Sequence, residues 1–409
     1  MSKRILFVES SCVGAAYSAE AAIDLGYSPV FLTDLVASQG DTRRQMSKYE
    51  CVECDTRSVD AMVAAIENAR LDGIHFITSF NDSYLMNAVA LARRMKVGSI
   101  CTAVERLKDK GEVYALVPEF SPRTIRFSSD DIPFDAIKGL LDSSQAVIVK
   151  ARRSSGGLGT LTLRSCEEVK RLPRRLSESG IPDHLSPDLW LAQEFTDGEL
   201  VSLEGYVIDS AVKFLGFSGR KKIGMSESVI MFPWDENLSP DAMNEAKQAL
   251  GELVKRSGFN NNYFHVEFMM KGPRAFLIDA NMGRIGGGGL SEQVAIAYGI
   301  SPRTLHLHML TLGVEGKEMS DHEMFKAAPR RTASVLYGIP VQAQLKSVLL
   351  PDPFSCFHTQ ILDVGEIVPA MGTSNYAWIG IVSGDIDRAM EETAKIKINT
   401  SEGEFVAVF

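Results

Sequence analysis

Two short apolar segments in the second half of the chain are interrupted by carboxylate and amide side chains. The first segment contains Glu267, and the second contains Asp279 and Asn281. The residues between the segments, 271–274, include glycine and proline, which is typical of a turn. The pattern therefore predicts a β-hairpin whose polar residues break two strands that are otherwise mostly apolar.

The predicted hairpin brings these polar side chains together. If residues 272–274 form a three-residue loop, Glu267 lies opposite Asp279, and Asn281 points to the same face as Asp279. Two facing carboxylates repel each other unless a cation lies between them, and hard oxygen ligands suit Mg²⁺, which usually carries substrate phosphates as well. A Mg²⁺ site (Mn²⁺ being a substitute) is therefore predicted, with a salt-bridged or solvated hairpin as the alternative. His265 is expected to face the opposite side of the strand as a structural histidine.

The composition is that of an ordinary globular protein with room for two or three domains. Of the 409 residues, 45% are hydrophobic and 23% are charged. The net charge of −9 argues against a nucleic acid or an anionic membrane as partner. No apolar run approaches the length of a membrane span, and Lys3-Arg4 followed by a short apolar strand is not a signal peptide, so we expect a cytoplasmic protein.

The first hundred residues alternate between predicted strands and helices, which is typical of a parallel sheet covered by helices. The turn after the first strand, residues 10–16, contains a single glycine, and the chain has neither G-x-G-x-x-G nor G-x-x-x-x-G-K-[ST]. If this protein binds ATP, it therefore uses another sequence motif. The predicted strands are 5–9, 29–33 and 73–78, and the predicted helices are 15–25, 59–69 and 83–95.

A lysine followed by a loop of small residues is a candidate for such a phosphate-binding motif. Lys150 ends a β-branched strand, and a glycine- and serine-rich loop separates it from a second strand at 161–163. Small residues let backbone N–H groups approach phosphate oxygens, and the lysine reaches the same oxygens as a point charge. A flexible turn is the alternative. The loop residues that are candidates for phosphate contact are Ser154, Ser155, Gly156 and Gly157.

Two further segments complete the set of motifs. Asp109-Lys110 is predicted to open a helix, and residues 191–199 read as a strand followed by a turn. Such a strand and turn can offer backbone groups to the edge of an adenine and a carboxylate to a ribose.

Taken in chain order, these motifs resemble the ATP-grasp superfamily. The order is Asp-Lys, then strand-Lys with a Gly/Ser loop, then Gln-Glu-aromatic with Gly-x-Glu, then His-x-Glu, then acid-x-Asn with a nearby Arg. Within the superfamily, the chain looks most like bacterial L-amino acid ligases that make dipeptides, because of the loop 223–228 and the C-terminal segment 376–395.

The resemblance implies an α/β architecture with an α+β lid. Its expected parts are an N-terminal parallel-sheet domain (1–105), a central lid region (106–195), a core with the Mg²⁺ and substrate site (196–324) and a small C-terminal subdomain (325–409).

The resemblance also implies ATP and Mg²⁺ as cofactors and a role for each motif. Lys110 and Lys150 would neutralise the ATP phosphates, and Arg284 would stabilise an acyl phosphate and the oxyanion that follows it. The metal ligands would be Glu267, Asp279 and Asn281. The nucleoside would be held by the Gln193 side chain, by backbone groups of Glu194 and Phe195, and by Glu199 at the ribose.

The implied reaction joins a small-molecule carboxylate, such as an amino acid, to an amine, with release of ADP and phosphate. The resemblance implies neither a nucleic acid nor a membrane as partner, and it allows a homodimer. Two alternatives remain open: an ATP-grasp enzyme that uses bicarbonate or a purine precursor, and a nucleotide-binding protein without turnover.

Two features depart from the family pattern. The usual acid-x-Asn-x-Arg has one extra residue in the segment 279–284, and the second metal acid is Asp rather than the more usual Glu. We expect Gly283 to absorb the extra residue in a bulge, since glycine accepts positive φ, so that Arg284 projects to the acyl-phosphate site. If Arg284 does not do so, Arg220 and Lys222 are the next candidates.

Overall fold

The N-terminal region is a parallel sheet with helices on both faces. The computed structural model describes residues 3–11, 14–34, 39–154, 159–179, 181, 188–319 and 324–409. The strand order is β3-β2-β1-β4-β5. Successive residues of β1 serve different cores, because Phe7 packs with residues of α1 and Leu6 packs with residues of α3. The elements are β1 (Arg4–Val8), α1 (Ala15–Asp24), β2 (Ser28–Thr33), α2 (Gly40–Met46), β3 (Glu50–Glu53), α3 (Val59–Asn68), β4 (Ile74–Thr78), α4 (Leu85–Met95) and β5 (Gly98–Ser99).

The next region contains a small antiparallel sheet with a core of its own. Its strand order is β6-β9-β7-β8. Trp190 and Val149 are fully buried between this sheet and the helices that follow its strands. The elements are α5 (Ala103–Leu107), α6 (Lys110–Leu116), β6 (Thr124–Ser128), α7 (Phe134–Asp142), β7 (Val147–Ala151), β8 (Leu161–Leu163), α8 (Cys166–Lys170), α9 (Leu172–Ser177) and β9 (Leu189–Glu194).

The largest sheet begins with a long antiparallel meander. Alternate residues of its strands, among them Val201 and Phe268, pack in one core with the apolar face of helix α10. The opposite face of the same strands carries the polar residues described below. The elements of this part are β10 (Glu199–Ile208), β11 (Ala211–Ile223), β12 (Ser226–Phe232), α10 (Pro240–Ser257), β13 (Asn262–Lys271), β14 (Arg274–Met282), α11 (Leu290–Ala297) and α12 (Pro302–Glu315).

The C-terminal part completes this sheet and adds a smaller one. The eight-stranded order is β14-β13-β10-β11-β12-β15-β19-β17, and the four-stranded order is β18-β16-β20-β21. The expected boundary at 324/325 lies between α12 and β15, while three strands beyond it belong to the large sheet; the division into domains stays a prediction. The elements are β15 (Thr332–Tyr337), β16 (Ala343–Leu349), β17 (Phe357–Gln360), β18 (Ile367–Val368), β19 (Gly380–Asp385), α13 (Ile386–Thr393), β20 (Lys397–Thr400) and β21 (Gly403–Val406).

The architecture confirms the predicted fold class, a mixed α/β protein with an N-terminal parallel sheet followed by antiparallel sheets. The predicted strands of the first region correspond to β1, β2 and β4, and the predicted helices to α1, α3 and α4. The sequence analysis missed α2 and β3, which are short and rich in polar residues. None of the helices formed by the described residues is long and apolar enough to cross a membrane.

Candidate functional site

A cavity of about 260 Å³ lies between the small sheet and the β13–β14 hairpin. It collects residues that are up to 169 positions apart in the chain, since its lining runs from Lys110 to Asp279. Most of the motifs singled out in the sequence contribute to it. The lining residues are Lys110, Ile148, Lys150, Ser154, Thr160, Gln193, Glu194, Phe195, Thr196, Glu267, Met269, Ile278 and Asp279.

The hairpin places Glu267 directly opposite Asp279, and both carboxylates line the cavity. The expected three-residue loop is wrong, because Lys271 pairs with Arg274 and the turn contains only two residues. A bulge at Ile278 restores the expected register by adding one residue to β14 between Leu277 and Asp279. The facing pair therefore depends on the bulge and not on the turn.

The bulge also directs a backbone carbonyl at Lys150. The Ile278 carbonyl accepts hydrogen bonds from the Tyr114 hydroxyl at 2.5 Å and from Lys150 Nζ at 3.2 Å. Lys150 Nζ also donates to the Tyr114 hydroxyl at 2.6 Å. Burial, together with the nearby Lys110, lowers the pKa of Lys150 to about 7. An amine held in this way favours an anionic ligand, because added negative charge stabilises its protonated form.

Lys110 reaches the cavity from the first turn of helix α6. The Asp109 carboxylate caps this helix by accepting a hydrogen bond from the Gly111 N–H at 2.9 Å. Lys110 Nζ donates to the Ser154 carbonyl at 2.7 Å and lies 3.2 Å from Asp279 Oδ1. Lys110 therefore links the strand-end loop to one carboxylate of the hairpin.

The other carboxylate, that of Glu267, contacts Arg220 of strand β11. Arg220 Nη1 lies 2.9 Å from Glu267 Oε1 and 2.6 Å from Glu227 Oε1. Burial by itself raises the pKa of Glu267, but Arg220, His265 and Lys110 outweigh burial and hold that pKa well below its ordinary value. Glu267 is therefore ionised, as a metal ligand must be.

His265 lies on the same face of β13 as Glu267, so the expectation that it faces the opposite side is wrong. Its Nε2 lies 3.5 Å from Glu267 Oε1, and its Nδ1 lies 2.6 Å from Glu204 Oε1. Residues two apart in a strand share a face, which explains the result. Burial lowers the pKa of His265, but Glu204 more than offsets this and raises it to about 9. The histidine therefore carries a positive charge at neutral pH.

Asn281 and Arg284 do not line the cavity. Asn281 is half-buried and pairs with His265 across the hairpin. Gly283 has a φ of 104°, as expected of a residue that absorbs an insertion. Arg284 Nε, however, lies 2.9 Å from Asp82 Oδ1 in the loop after β4, and Lys108 contacts the same carboxylate. The structure thus directs Arg284 toward the N-terminal sheet.

The structure brings together only some of the residues that were predicted to bind the nucleoside. Gln193 is buried and donates to Thr124 Oγ1 at 3.1 Å. The N–H groups of Glu194 and Phe195 already donate to backbone carbonyls, at 2.9 and 3.1 Å. An adenine at this edge would therefore have to use groups other than these two N–H donors.

Glu199 lies away from the cavity. It accepts a hydrogen bond from Trp234 Nε1 at 2.6 Å and pairs across the sheet with Met270, whereas the neighbouring Met269 lines the cavity. Adjacent strand residues face opposite sides of a sheet, so Glu199 lies on the face that points away from the cavity and from a ribose bound there. Of the candidate phosphate loop, Ser154 lines the cavity; Ser155, Gly156 and Gly157 lie outside the described residues.

The carboxylate pair fits a Mg²⁺ ion that also binds phosphate. In this structure salt bridges compensate the charge of the pair, since Glu267 contacts Arg220 and Asp279 contacts Lys110. Among the described residues, no three His, Cys, Asp or Glu side chains form a cluster that could hold a metal. The two carboxylates suit Mg²⁺, which takes few protein ligands and completes its shell with water and phosphate oxygens.

The sequence analysis missed Tyr114, Glu204 and Glu227, and it named Arg220 only as a candidate to replace Arg284. Glu204 interrupts the apolar strand β10 in the same way as Glu267 interrupts β13, so the same signal was present. Tyr114 carries no such signal, because its partner, the Ile278 carbonyl, lies 164 positions away in the chain. Arg220, the partner of Glu227, lies only seven positions away, on the neighbouring strand β11.

Comparisons with solved structures identify the fold. No protein-family model and no curated protein matches the chain. Phosphoribosylglycinamide synthetase from Anaerococcus prevotii is 16% identical with a TM-score of 0.68, and the match covers 97% of this chain and 99% of that one. L-amino acid ligase from Bacillus licheniformis is 14% identical with a TM-score of 0.70, and the match covers 94% and 93%.

A third similar structure contains bound nucleotide. The biotin carboxylase domain of a 2-oxoglutarate carboxylase from Hydrogenobacter thermophilus, solved as a dimer with MgADP, ADP and bicarbonate, is 14% identical with a TM-score of 0.72. That match covers 98% of this chain and 91% of the other. These proteins share the ATP-grasp fold, and the chain therefore has the ATP-grasp fold that its motif order predicted.

Proposed function

We propose that this protein is an ATP-dependent carboxylate–amine ligase that forms an amide bond through an acyl phosphate. The observation that carries the proposal is the single cavity in which two lysines face two opposed carboxylates. The lysines, Lys110 and Lys150, match the negative charge of a nucleotide's phosphates, and the carboxylates match the metal that accompanies them. Fold alone does not define an activity, so the proposal rests on this arrangement.

In the proposed complex, ATP lies in the cavity with its phosphates between Lys110 and Lys150. Glu267, Asp279 and Asn281 would hold Mg²⁺ (or Mn²⁺), a cation that would neutralise phosphate charge there. Gln193, Glu194 and Phe195 border the adenine, and Ser154 to Gly157 border the phosphates. Glu199, the first residue of β10, would contact the ribose only if its side chain left Trp234 and turned to the opposite face of the sheet.

The chemistry follows from the weakness of a carboxylate as an acyl donor. Transfer of the γ-phosphoryl group to the substrate carboxylate converts it into an acyl phosphate, whose phosphate is a good leaving group. An amine then attacks the acyl carbon, and the amide and phosphate leave with ADP. Positioning and electrostatics carry such a reaction without a covalent enzyme intermediate. Arg284 is the proposed cation for the acyl phosphate, with Asp82 as its partner in the free protein.

The proposed substrates are amino acids or similar small carboxylates and amines. The resemblance of residues 223–228 and 376–395 to L-amino acid ligases supports this class, as does the similarity of the whole chain to the Bacillus licheniformis ligase. The protein would act in the cytoplasm, and a homodimer is compatible with the dimer of the similar carboxylase domain.

A matrix of amino-acid pairs, scored for phosphate release from ATP, tests the proposal. We expect at least one pair to release phosphate and ADP only when both members are present. Bicarbonate replaces the carboxylate member in a parallel series. Release with bicarbonate alone would contradict amide formation in favour of a carboxylation, and stoichiometric AMP and pyrophosphate would contradict the acyl phosphate. A wild-type protein that binds ATP without hydrolysing it in any pair would overturn the ligase proposal.

A further inference from the structure

Arg220 is a largely buried arginine shared by two carboxylates. Its side chain is 11% exposed, and its Nη1 lies within 2.6 Å of Glu227 and 2.9 Å of Glu267. Its Nη2 donates to Ser202 Oγ at 3.3 Å and lies 2.9 Å from His265 Nε2. Four strands, β10 to β13, therefore hold one guanidinium beside a proposed metal ligand.

The contact with Glu267 is the one that a metal would remove. A divalent ion on Glu267 would face the positive charge of Arg220 across a single carboxylate, and at such distances two cations repel strongly in a site of low dielectric. The hydrogen bonds to Glu227 and Ser202 do not involve the proposed metal ligands. Arg220 would therefore keep its anchorage while losing one acceptor on the side of the cavity.

One hydrogen-bond donor of the guanidinium also has no acceptor in the described part of the metal-free structure. Its Nε is buried and has no hydrogen-bond partner among the described residues. Arginine offers five N–H donors in a planar fork that matches a carboxylate or a phosphate. Once the Glu267 contact is lost as well, this buried cation has unused donors beside a carboxylate that lines the cavity.

We propose that Arg220 couples metal binding to binding of the anionic substrate. In the metal-free protein it is the counter-ion of Glu267, and when the metal takes Glu267 the guanidinium binds the carboxylate that is to be activated. This inference rests on the proposed function and deepens it, because it names the residue that makes recognition of a carboxylate depend on the metal. Coupling of this kind is reciprocal, so the carboxylate tightens metal binding by the same factor.

Binding of Mn²⁺, followed by its electron paramagnetic resonance signal in the absence of nucleotide, tests the inference. Wild type is compared with Arg220→Met in potassium chloride and in potassium acetate of the same ionic strength, acetate being the carboxylate probe. We expect Arg220→Met to bind Mn²⁺ about tenfold more tightly than wild type in chloride, because the competing cation is gone. Acetate should tighten Mn²⁺ binding to wild type and leave Arg220→Met unchanged.

Two further variants separate Arg220 from a general charge effect. Lys221→Met removes an exposed positive charge from the neighbouring position and should behave as wild type. Glu227→Gln leaves Arg220 with Glu267 as its remaining carboxylate partner and should weaken Mn²⁺ binding. If Glu227 acts through Arg220, Glu227→Gln should have no effect in an Arg220→Met background, which a double-mutant cycle measures.

The outcomes distinguish this inference from the proposed function. If wild type binds no Mn²⁺ in either salt, the coupling is overturned, while the ligase proposal is decided by the amino-acid pair matrix. If wild type binds Mn²⁺ and Arg220→Met binds it no more tightly, or keeps the acetate effect, the coupling is overturned while the ligase proposal stands. Should Arg220→Met not fold, Arg220→Lys carries the test: one ammonium cannot hold all four contacts, so Mn²⁺ binding should again tighten, and binding equal to that of wild type would count against the inference.

Discussion

The ammonium group of Lys150 is buried beside neutral oxygens, those of Tyr114 and of the Ile278 carbonyl. Burial and Lys110 lower its pKa to about 7, so the amine is protonated below that pH and mostly neutral above it. A phosphate group that binds nearby stabilises the protonated form and raises the pKa again. If Lys150 contacts the phosphates as proposed, it links nucleotide binding to proton uptake.

This linkage gives a prediction for ADP binding. At about pH 8.5, binding of ADP to the free protein should take up close to one proton, and at about pH 6 the uptake through Lys150 should vanish, because the amine is already charged. Calorimetry in buffers of different ionisation enthalpy measures the uptake. Lys150→Met should abolish the uptake at about pH 8.5. Equal uptake in wild type and Lys150→Met would contradict the proposed contact.

The two hairpin carboxylates can be tested by substitutions that keep shape and remove charge. Glu267→Gln and Asp279→Asn should each lower turnover at least about 100-fold, because the metal loses a charged ligand in a largely buried site. Glu245→Gln is the matched control, since Glu245 pairs with Arg274 at the turn end of the same hairpin and lies outside the cavity lining. Near-normal activity of Glu267→Gln or Asp279→Asn at limiting Mg²⁺ would count against the metal site.

At the scale of elements, the glycine-rich segment after β14 packs closely on the polar face of the sheet. A Cβ added at Gly286 would lie 2.6 Å from His265 Nδ1, whereas one added at Gly287 would meet nothing within 4 Å. The backbone at residue 286 thus occupies the space directly over the His265–Glu204 pair. This contact, together with one of 2.6 Å to Leu290 Cδ2, is why a side chain is excluded at one glycine and tolerated at its neighbour.

The contrast between the two glycines predicts different stabilities. Gly286→Ala should lower the free energy of unfolding by about 1–3 kcal/mol, because the methyl group displaces His265 or the segment itself. Gly287→Ala should change it by no more than about 0.5 kcal/mol. Denaturant unfolding of both variants measures the difference. Equal effects would show that the segment does not rest on His265.

The elements also show how far the sequence can predict such a site. Apolar periodicity is local, and it was enough to predict β1, β2 and β4. The facing of Glu267 and Asp279 was predicted from a three-residue loop that the structure does not have, and it is observed because the bulge restores the register. The bulge at Ile278 was not predictable in this way, because it is stabilised by Tyr114 and Lys150 from other elements. The side of the strand occupied by His265 follows from simple alternation, and the sequence interpretation applied that rule wrongly.

Contacts among several strands cannot be predicted from the spacing of residues in the sequence. The partners of Arg220 belong to β10, β12 and β13, so its role depends on the order of strands in the sheet. The direction of Arg284 depends on a loop of the N-terminal sheet that supplies Asp82. The roles of both arginines in the reaction remain predictions.

At the scale of the whole molecule, the fold brings two regions together over one cavity. The small sheet supplies Lys150 and Gln193, and the large sheet supplies the carboxylate pair. The similar structures include a carboxylase domain and ligases, so the shared fold is compatible with several acceptors. Whatever the acceptor, the reaction proposed for this cavity begins with the activation of a carboxylate by ATP.

Transfer of ¹⁸O from a labelled carboxylate tests that step most directly. A carboxylate identified in the pair matrix is labelled in both oxygens, and the phosphate released from ATP is analysed by mass spectrometry. Because one carboxylate oxygen bridges to phosphorus in the acyl phosphate and leaves with it, the account predicts one ¹⁸O in each phosphate released. Phosphate without ¹⁸O, or ¹⁸O recovered in AMP, would contradict an acyl phosphate formed in this cavity.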